Sequence, residues 1–440
     1  MQQSKPMSRK EVLNSVLAVV ATCAAAVLLF TAALYAVSLV SRKAIETNAV
    51  RSVDILHAEG QERAVVANHL LLRLDNFTDC LMMNIALSAP DDDHTTAAML
   101  NPMHLGDIRN QVDQTWSWAH KTDTVAPPKV NYGRYWHGYQ VPLRLLLIVT
   151  DYRGIRLVNM FLLALLSLLV TVLCWRRVSP AVAVALLLAL ILVAMPLVVP
   201  WSMQYSTCFI VMLLASVAVL ALKRVGKSLP AAAVLMAATG ALTAFLDLLT
   251  TPVLTLGIPL VLYLLAYKPE RRWRVALLLA LAWAVGYAGT WAAKWVVAGV
   301  ITGEDVLSDA MRTAQYRTVG YAADTSGIVL VDLLRHYWAM VTPMRAAVLV
   351  AAVAVLLFLL RWLSRGWRVM TRHLQLLAVA ALPLLWYALL AQHSFQHRWF
   401  TWRSLAVTFF AVFCYLIYTV NDGRKQSKSQ TDSGTDSVLQ

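Results

Sequence analysis

Two histidines and two arginines lie within a short polar and aromatic stretch near the C-terminal end of the sequence, between two apolar runs. His393 and His397 are four residues apart, and Arg398 and Arg403 follow them. A guanidinium stays charged and offers a planar fork of donors to anionic oxygens, so this stretch predicts an anion site with the histidines beside the arginines. The alternative is that both arginines extend to lipid headgroups, next to the neighbouring tryptophans.

Three acidic residues are candidates for proton transfer. Asp75 and Asp79 are four residues apart, so on a helix they share one face, and their mutual repulsion would raise the pKa of one of them towards that of a general base. Asp247 ends an apolar run just before Pro252, and a carboxylate at the edge of a membrane span is a functional candidate. The alternatives are a solvated helix face for the pair and a structural partner of an arginine for Asp247.

An aromatic and polar cluster follows at 131–139. It contains Arg134, Tyr135, Trp136, His137 and Tyr139. Flat aromatic faces suit sugar rings, and they are equally typical of membrane interfaces. The cluster therefore remains an additional candidate for substrate binding.

No metal site is predicted. His393 and His397 have a spacing that suits shared metal ligation on a helix, but no HExxH arrangement and no third ligand accompany them. The five cysteines are scattered and form no CxxC pattern.

The elements that carry these residues belong to a membrane protein of the all-α class. The chain has 440 residues, of which 59% are hydrophobic and 14% charged, whereas soluble domains have about 45–50% and about 25%. Its net charge of +14 follows from basic loops on one side of a membrane, so nucleic-acid binding is not predicted. Apolar runs predict about ten spans, at 14–40, 156–175, 180–200, 204–222, 229–249, 253–267, 275–298, 346–362, 374–391 and 404–420.

The positions of the basic residues predict an orientation. With residues 1–13 in the cytosol, every short inner connection carries lysine or arginine, as the positive-inside rule requires. Two long segments, 41–155 and 299–345, then face outward, and the first opens with a pattern over 59–74 typical of an interfacial helix. The membrane domain covers 14–420, and 421–440 is predicted to be a disordered cytosolic tail.

This arrangement resembles the GT-C class of polytopic glycosyltransferases over about residues 12–420. The segments 74–79, 135–139, 245–252 and 393–403 are also similar to those of an uncharacterised group of bacterial integral membrane proteins, which implies no substrate. The GT-C resemblance implies that Asp75 or Asp79 deprotonates the acceptor hydroxyl. It also implies that Arg398 and Arg403, with His393 and His397, hold the donor phosphate as it leaves.

The sequence hypothesis is therefore a membrane glycosyltransferase. It would transfer a sugar from a polyprenyl-phosphate-linked donor to a glycan, cell-wall polymer or lipid acceptor. The reaction would take place on the outer face of the plasma membrane, among membrane lipids, as an inverting single displacement. It requires a cavity that contains both a carboxylate and Arg398 or Arg403. The donor brings its own leaving group, so no cofactor is required, although a divalent cation would be able to share the arginines' role.

Two alternatives stay open. The first is a lipid or oligosaccharide transporter or flippase, against which the scarcity of ionisable residues inside the spans argues, Lys294 being the exception. The second is a non-catalytic membrane assembly protein.

Overall fold

The computed structural model describes residues 9–66, 69–106, 111–122, 127–319, 335 and 371–420. Within those ranges the regular structure is helical apart from one antiparallel pair of two-residue strands, in which Met103 faces Val130. In chain order the elements are α1 (Arg9–Ser38), α2 (Arg42–Glu59), α3 (Asn76–Ser88), α4 (His94–Met99), β1 (Met103–His104), α5 (Gln111–Ala119), β2 (Lys129–Val130), α6 (Gln140–Val149), α7 (Tyr152–Arg177), α8 (Pro180–Leu192), α9 (Met195–Val198), α10 (Met203–Ala221), α11 (Lys223–Lys227), α12 (Leu229–Leu246), α13 (Leu254–Tyr267), α14 (Arg272–Thr302), α15 (Val306–Val319), α16 (Leu374–Ala380), α17 (Leu382–Leu389), α18 (Ala391–Gln396) and α19 (Arg398–Val420).

Six of these helices are long and apolar enough to span a membrane, namely α1, α7, α10, α12, α14 and α19. The short helices α8 and α9 are bent by 53° at a break and together make a candidate seventh span. The chain is therefore a polytopic helical membrane protein.

The count of ten spans is confirmed only in part. The prediction at 253–267 corresponds to α13, which has 14 residues and is shorter than the hydrocarbon layer at 1.5 Å per residue. The prediction at 374–391 corresponds to the short pair α16 and α17. The prediction at 346–362 and the tail at 421–440 lie outside the described residues.

The helices α12 and α14 pack with their backbones in close approach. A Cβ atom added at Gly240 would collide with the carbonyl group of Trp283, and one added at Gly286 would collide with that of Ala237. Small residues at a crossing allow this approach in membranes, where dispersion between helices replaces the hydrophobic effect. This crossing fixes α14, whose C-terminal half carries part of the site described below.

The interfacial helix predicted over 59–74 is wrong. Helix α2 ends at Gly60, whose φ of +78° lies in the left-handed region that favours glycine. Beyond it, Ala64 forms a β-bridge with Arg73, and a 3-10 turn at Leu70–Leu72 lies between the two bridge residues. The chain reverses direction here, and Asp75 then lies at the start of α3.

Two buried arginines hold the segment 41–155 against the spans. Arg144 on α6 donates to the carbonyl oxygens of Val37, Val40 and Ala86. Arg156 on α7 makes a bidentate pair with Glu59 at 2.6 and 2.7 Å. Because each guanidinium is satisfied by protein acceptors, both have a structural explanation.

Candidate functional site

A cavity of about 240 Å³ lies where the segment 41–155 meets the polar stretch at 392–403. Its walls come from seven regions of the chain: the residues after α2, the start of α3, the loop before α6, the start of α10, the turn after α12, the end of α15, and the region from α18 to the start of α19. The lining includes Glu62, Asp75, Tyr135, Tyr139, Arg317, His393 and His397.

Asp75 is the buried carboxylate of this cavity. It is the N-cap of α3 and is 4% exposed, and its two oxygens accept hydrogen bonds from the backbone NH and the hydroxyl of Thr78. Burial, and then the neighbouring charge of Asp79, raise the pKa of Asp75 to about 7. A carboxyl group with this pKa can accept a proton near neutral pH.

Asp79 has a different environment. It lies in the first turn of α3, where its oxygens accept hydrogen bonds from the Tyr152 hydroxyl at 2.6 Å and from the backbone NH of Gln204 at 3.0 Å. Burial raises the pKa of Asp79 to about 6, although the hydrogen bonds from these donors lower it. Asp79 is not among the residues that line the cavity. The prediction of a solvated helix face is wrong, because both carboxylates are buried.

His393 and His397 line the cavity together with an arginine that the sequence analysis did not single out. Arg317, on α15, donates to Nε2 of His397 at 2.9 Å. Nε2 of His393 lies 2.9 Å from the carbonyl oxygen of Leu249. A guanidinium only donates and a carbonyl only accepts, so neutral His397 carries its proton on Nδ1 and neutral His393 on Nε2.

The second nitrogens of these two rings have no partner in the described structure. Nδ1 of His393 and Nδ1 of His397 are both buried without a hydrogen bond. Burial lowers the pKa of His393 to about 3 and that of His397 well below its ordinary value, so both rings are neutral at pH 7. The pair therefore presents one N–H donor and one nitrogen acceptor.

Arg398 and Arg403 do not line this cavity. Arg403 is 1% exposed, donates to the carbonyl oxygens of Leu71 and Trp399, and lies over the ring of Tyr205 at 4.4 Å. The alternative in which Arg403 extends to lipid headgroups is therefore wrong. Arg398 donates to the carbonyl oxygen of Phe395 within the same short turn. Among the described residues, no carboxylate therefore shares this cavity with Arg398 or Arg403, as the sequence hypothesis required, and Arg317 shares it with Asp75 instead.

The aromatic cluster divides between the site and the core. Tyr135 and Tyr139 line the cavity. Trp136 donates to the carbonyl oxygen of Thr290 on α14, and His137, at φ +55°, bridges the carbonyl oxygen of Tyr132 and the Tyr139 hydroxyl. Burial lowers the pKa of His137 to about 3, so it stays neutral and acts as a support for Tyr139.

The other two candidates lie beside the cavity. Asp247 caps the turn after α12, where both of its oxygens accept from the backbone NH of Thr250, and burial raises its pKa to about 6. Among the described residues it forms no ion pair with an arginine, so that alternative is wrong there. Arg134 pairs with Asp309 of α15 at 3.0 Å and lies over the Tyr132 ring.

An apolar groove of about 360 Å³ adjoins the cavity. Tyr287, Trp291 and Trp295 line it from three successive turns of α14, a span of about 12 Å at 1.5 Å per residue. Trp386 of α17 lines it as well. Tyr135 and Arg317 line both spaces, so the polar cavity and the groove are neighbours at these two residues.

Two lining residues could not have been selected from the sequence. Arg317 belongs to an amphipathic helix with a second arginine, Arg312, and nothing in the pattern distinguishes the two. Glu62 also lines the cavity, but it is partly exposed and pairs with Arg73 at 2.7 Å. In the described part of the chain, no group of three or more His, Cys, Asp or Glu residues could hold a metal ion.

Comparison with known proteins gives no match, whether to a family model, to a curated protein or to a solved structure.

Proposed function

We propose that this chain is a membrane glycosyltransferase that transfers a sugar from a polyprenyl-phosphate-linked donor to a glycan, cell-wall polymer or lipid acceptor on the outer face of the membrane. The observation that carries the proposal is a polar cavity beside an apolar groove, with Tyr135 and Arg317 in the lining of both. A buried carboxylate lines the cavity, and the groove runs along α14.

The groove and Arg317 match the two parts of a lipid phosphate. Tyr287, Trp291 and Trp295 offer apolar contact to a hydrocarbon chain, and Arg317 lies where the groove becomes polar. Among the described residues Arg317 has no carboxylate partner, and its Nε is buried without a hydrogen bond. An anionic oxygen would satisfy this donor. In the proposal Arg317 replaces Arg398 and Arg403 as the phosphate-binding arginine.

The polar end supplies the groups that a sugar transfer requires. Asp75 takes the proton of the acceptor hydroxyl while that oxygen bonds to the anomeric carbon. The bond from that carbon to the phosphate oxygen breaks in the same step, and the phosphate leaves with the electron pair beside Arg317. His393 and His397 present an acceptor and a donor, which together suit a sugar hydroxyl.

The test uses the purified chain in nanodiscs with a radiolabelled polyprenyl monophosphate for binding and labelled polyprenyl-phosphate hexoses with a membrane extract for turnover. Arg317→Gln is expected to weaken binding of the polyprenyl monophosphate by about tenfold or more, because a charge-assisted hydrogen bond contributes about 1.5–3 kcal/mol. Asp75→Asn is expected to bind the lipid phosphate normally and to lose turnover by at least about a hundredfold.

The matched control is Arg312→Gln. Arg312 lies on the same helix and is 70% exposed, and its distance of 4.0 Å from Asp309 makes that pair weak. Its loss should leave binding unchanged. Equal losses in both arginine variants would contradict a specific phosphate site. Failure of every lipid-phosphate sugar to bind or turn over would overturn the proposal, and lipid movement across the bilayer that Asp75→Asn retains would favour a flippase.

A further inference from the structure

A second polar pocket lies at the opposite end of α14. It has a volume of about 510 Å³ and is lined by the turn between α13 and α14 and by the start of α16. The groove residue of α14 that lies nearest, Tyr287, is 15 residues along the helix from Arg272, which is about 22 Å at 1.5 Å per residue. The two spaces therefore lie towards opposite ends of α14.

The pocket is strongly cationic. Five basic side chains and one carboxylate, that of Glu270, line it; the basic residues are Lys268, Arg271, Arg272, Arg274 and Arg372. The turn that carries four of them is tight, because Lys268 ends α13 in the left-handed conformation at φ +46°. Arg272 donates to Nδ1 of buried His373 at 3.0 Å, which joins the turn to α16.

Two further residues line the pocket, one of them buried and polar and the other exposed and aromatic. Gln375 lines the pocket at 3% exposure, and no hydrogen bond to its amide is present within the described residues. Trp273 lines it as well and is 55% exposed. Trp273, Leu277 and Leu281 follow one another along one exposed row of α14 that leads away from the pocket towards the membrane interior.

We propose that this pocket binds the headgroup of an anionic phospholipid. The arginines and the Gln375 amide would receive the phosphodiester oxygens, and the acyl chains would lie on the row formed by Trp273, Leu277 and Leu281. A basic pocket between the ends of spanning helices is a general arrangement for such headgroups. The apolar row beside the pocket favours a lipid over a soluble phosphate.

The test measures the thermal unfolding midpoint of the detergent-purified chain with added phosphatidylglycerol or phosphatidylcholine, and counts bound lipids by native mass spectrometry. Phosphatidylglycerol is expected to raise the midpoint more than phosphatidylcholine does. The double variant R271Q/R274Q should lose at least half of that difference. The single variant Arg274→Gln provides a second, milder measurement if the double variant is poorly folded.

The matched control is R176Q/R177Q, which removes two exposed arginines from the end of α7. It changes the net charge by the same amount and should keep the full effect of phosphatidylglycerol. Equal loss in both double variants would reduce the effect to general charge attraction and overturn the proposal. Protection by inorganic phosphate alone, equal to that by the lipid, would assign the pocket to a soluble anion and overturn it as well.

Discussion

At the scale of single residues, the acidic groups around the cavity are governed by burial and neutral donors. Asp75, Asp79 and Asp247 are each nearly inaccessible, and each accepts hydrogen bonds from backbone NH or hydroxyl groups, with no arginine in direct contact among the described residues. Burial without a counter-charge disfavours the ionised form, which is why the pKa of each is raised. Only Asp75 combines a raised pKa with access to the cavity.

The pH dependence of turnover should follow the ionisation of Asp75. A base must be deprotonated to act, so turnover should rise with pH through a midpoint near 7, where the pKa of Asp75 lies. Asp79→Asn removes a neighbouring charge that raises this pKa, so the midpoint should move to lower pH while the maximal rate is retained. A rate profile of both proteins checks this, and a midpoint unmoved by Asp79→Asn would contradict the coupling.

Stability should show the opposite trend. The pKa of Asp75 is higher in the folded chain than its ordinary value of 3.8, so the folded state binds more protons than the unfolded state between about pH 4 and 7. The contribution of this group is then fully present below pH 4 and is lost as the pH rises through 7. Thermal unfolding in detergent should show this loss in the wild type and a smaller pH dependence in Asp75→Asn.

At the scale of elements, the position of the segment 41–155 depends on a few buried polar contacts. The bidentate pair between Glu59 and Arg156 joins the end of α2 to the start of α7, and Arg156 also donates to the carbonyl oxygen of Trp201. Burial alone would raise the pKa of Glu59, but the hydrogen bonds and charge of Arg156 lower it overall. Glu59 also accepts from Asn76, next to Asp75, so this contact bears directly on the position of the candidate base.

Arg156→Met should destabilise the fold strongly. Removing one partner of a buried pair leaves a buried charge unpaired, which costs about 3–5 kcal/mol. The control is Arg63→Gln, since Arg63 contacts the same carboxylate at 2.8 Å but is 54% exposed and should contribute less than about 1 kcal/mol. Thermal unfolding midpoints in detergent measure both, and equal shifts would contradict the central role given to Arg156.

The crossing of α12 and α14 gives a second prediction at this scale. Gly286→Ala places a Cβ against the carbonyl group of Ala237 and should cost about 1–3 kcal/mol through displaced backbone. Gly289→Ala, one turn along the same helix, meets open space and should be neutral or stabilise the helix by up to about 1 kcal/mol. Unfolding midpoints of the two variants in the same detergent should therefore move in opposite directions or differ clearly in size.

At the scale of the whole molecule, the proposal depends on which side of the membrane each connection faces. The basic connections predict that the turn at Lys223–Lys227 is cytosolic and that the loop between α3 and α4 is outside. The exposed positions Asp92 and Lys227 report on these two sides. Four native cysteines are buried and Cys23 is partly buried, so labelling of the unmodified chain should be low.

Cysteine labelling in intact cells tests this orientation. Asp92→Cys should react with a membrane-impermeant maleimide without permeabilisation, and Lys227→Cys only after it. The reverse result would place the cavity on the cytosolic side and contradict the proposed outer site. Reaction of both variants in intact cells would instead indicate that the connection between α10 and α12 has been placed on the wrong side.

The candidate site was predictable in part. Asp75, Tyr135, Tyr139, His393 and His397 were singled out by residue type and spacing, and all five line one cavity. Arg403 and Arg317 show why the rest of the site was not predictable. Arg403 is enclosed by Tyr205 and backbone carbonyl groups, whereas Arg317 lines both the polar cavity and the apolar groove. Both are arginines in predicted outer regions, and sequence alone does not reveal which guanidinium lines the cavity.

The sequence by itself determined that this is a helical membrane protein and where most of its spans lie, because long apolar runs can satisfy their backbone groups in lipid only as helices. The tertiary structure decided which distant polar residues share a cavity and which are used as internal supports. It also revealed the reversal after Gly60 and the groove along α14. These depend on contacts between residues hundreds of positions apart, such as Arg403 with Leu71, which no local pattern encodes.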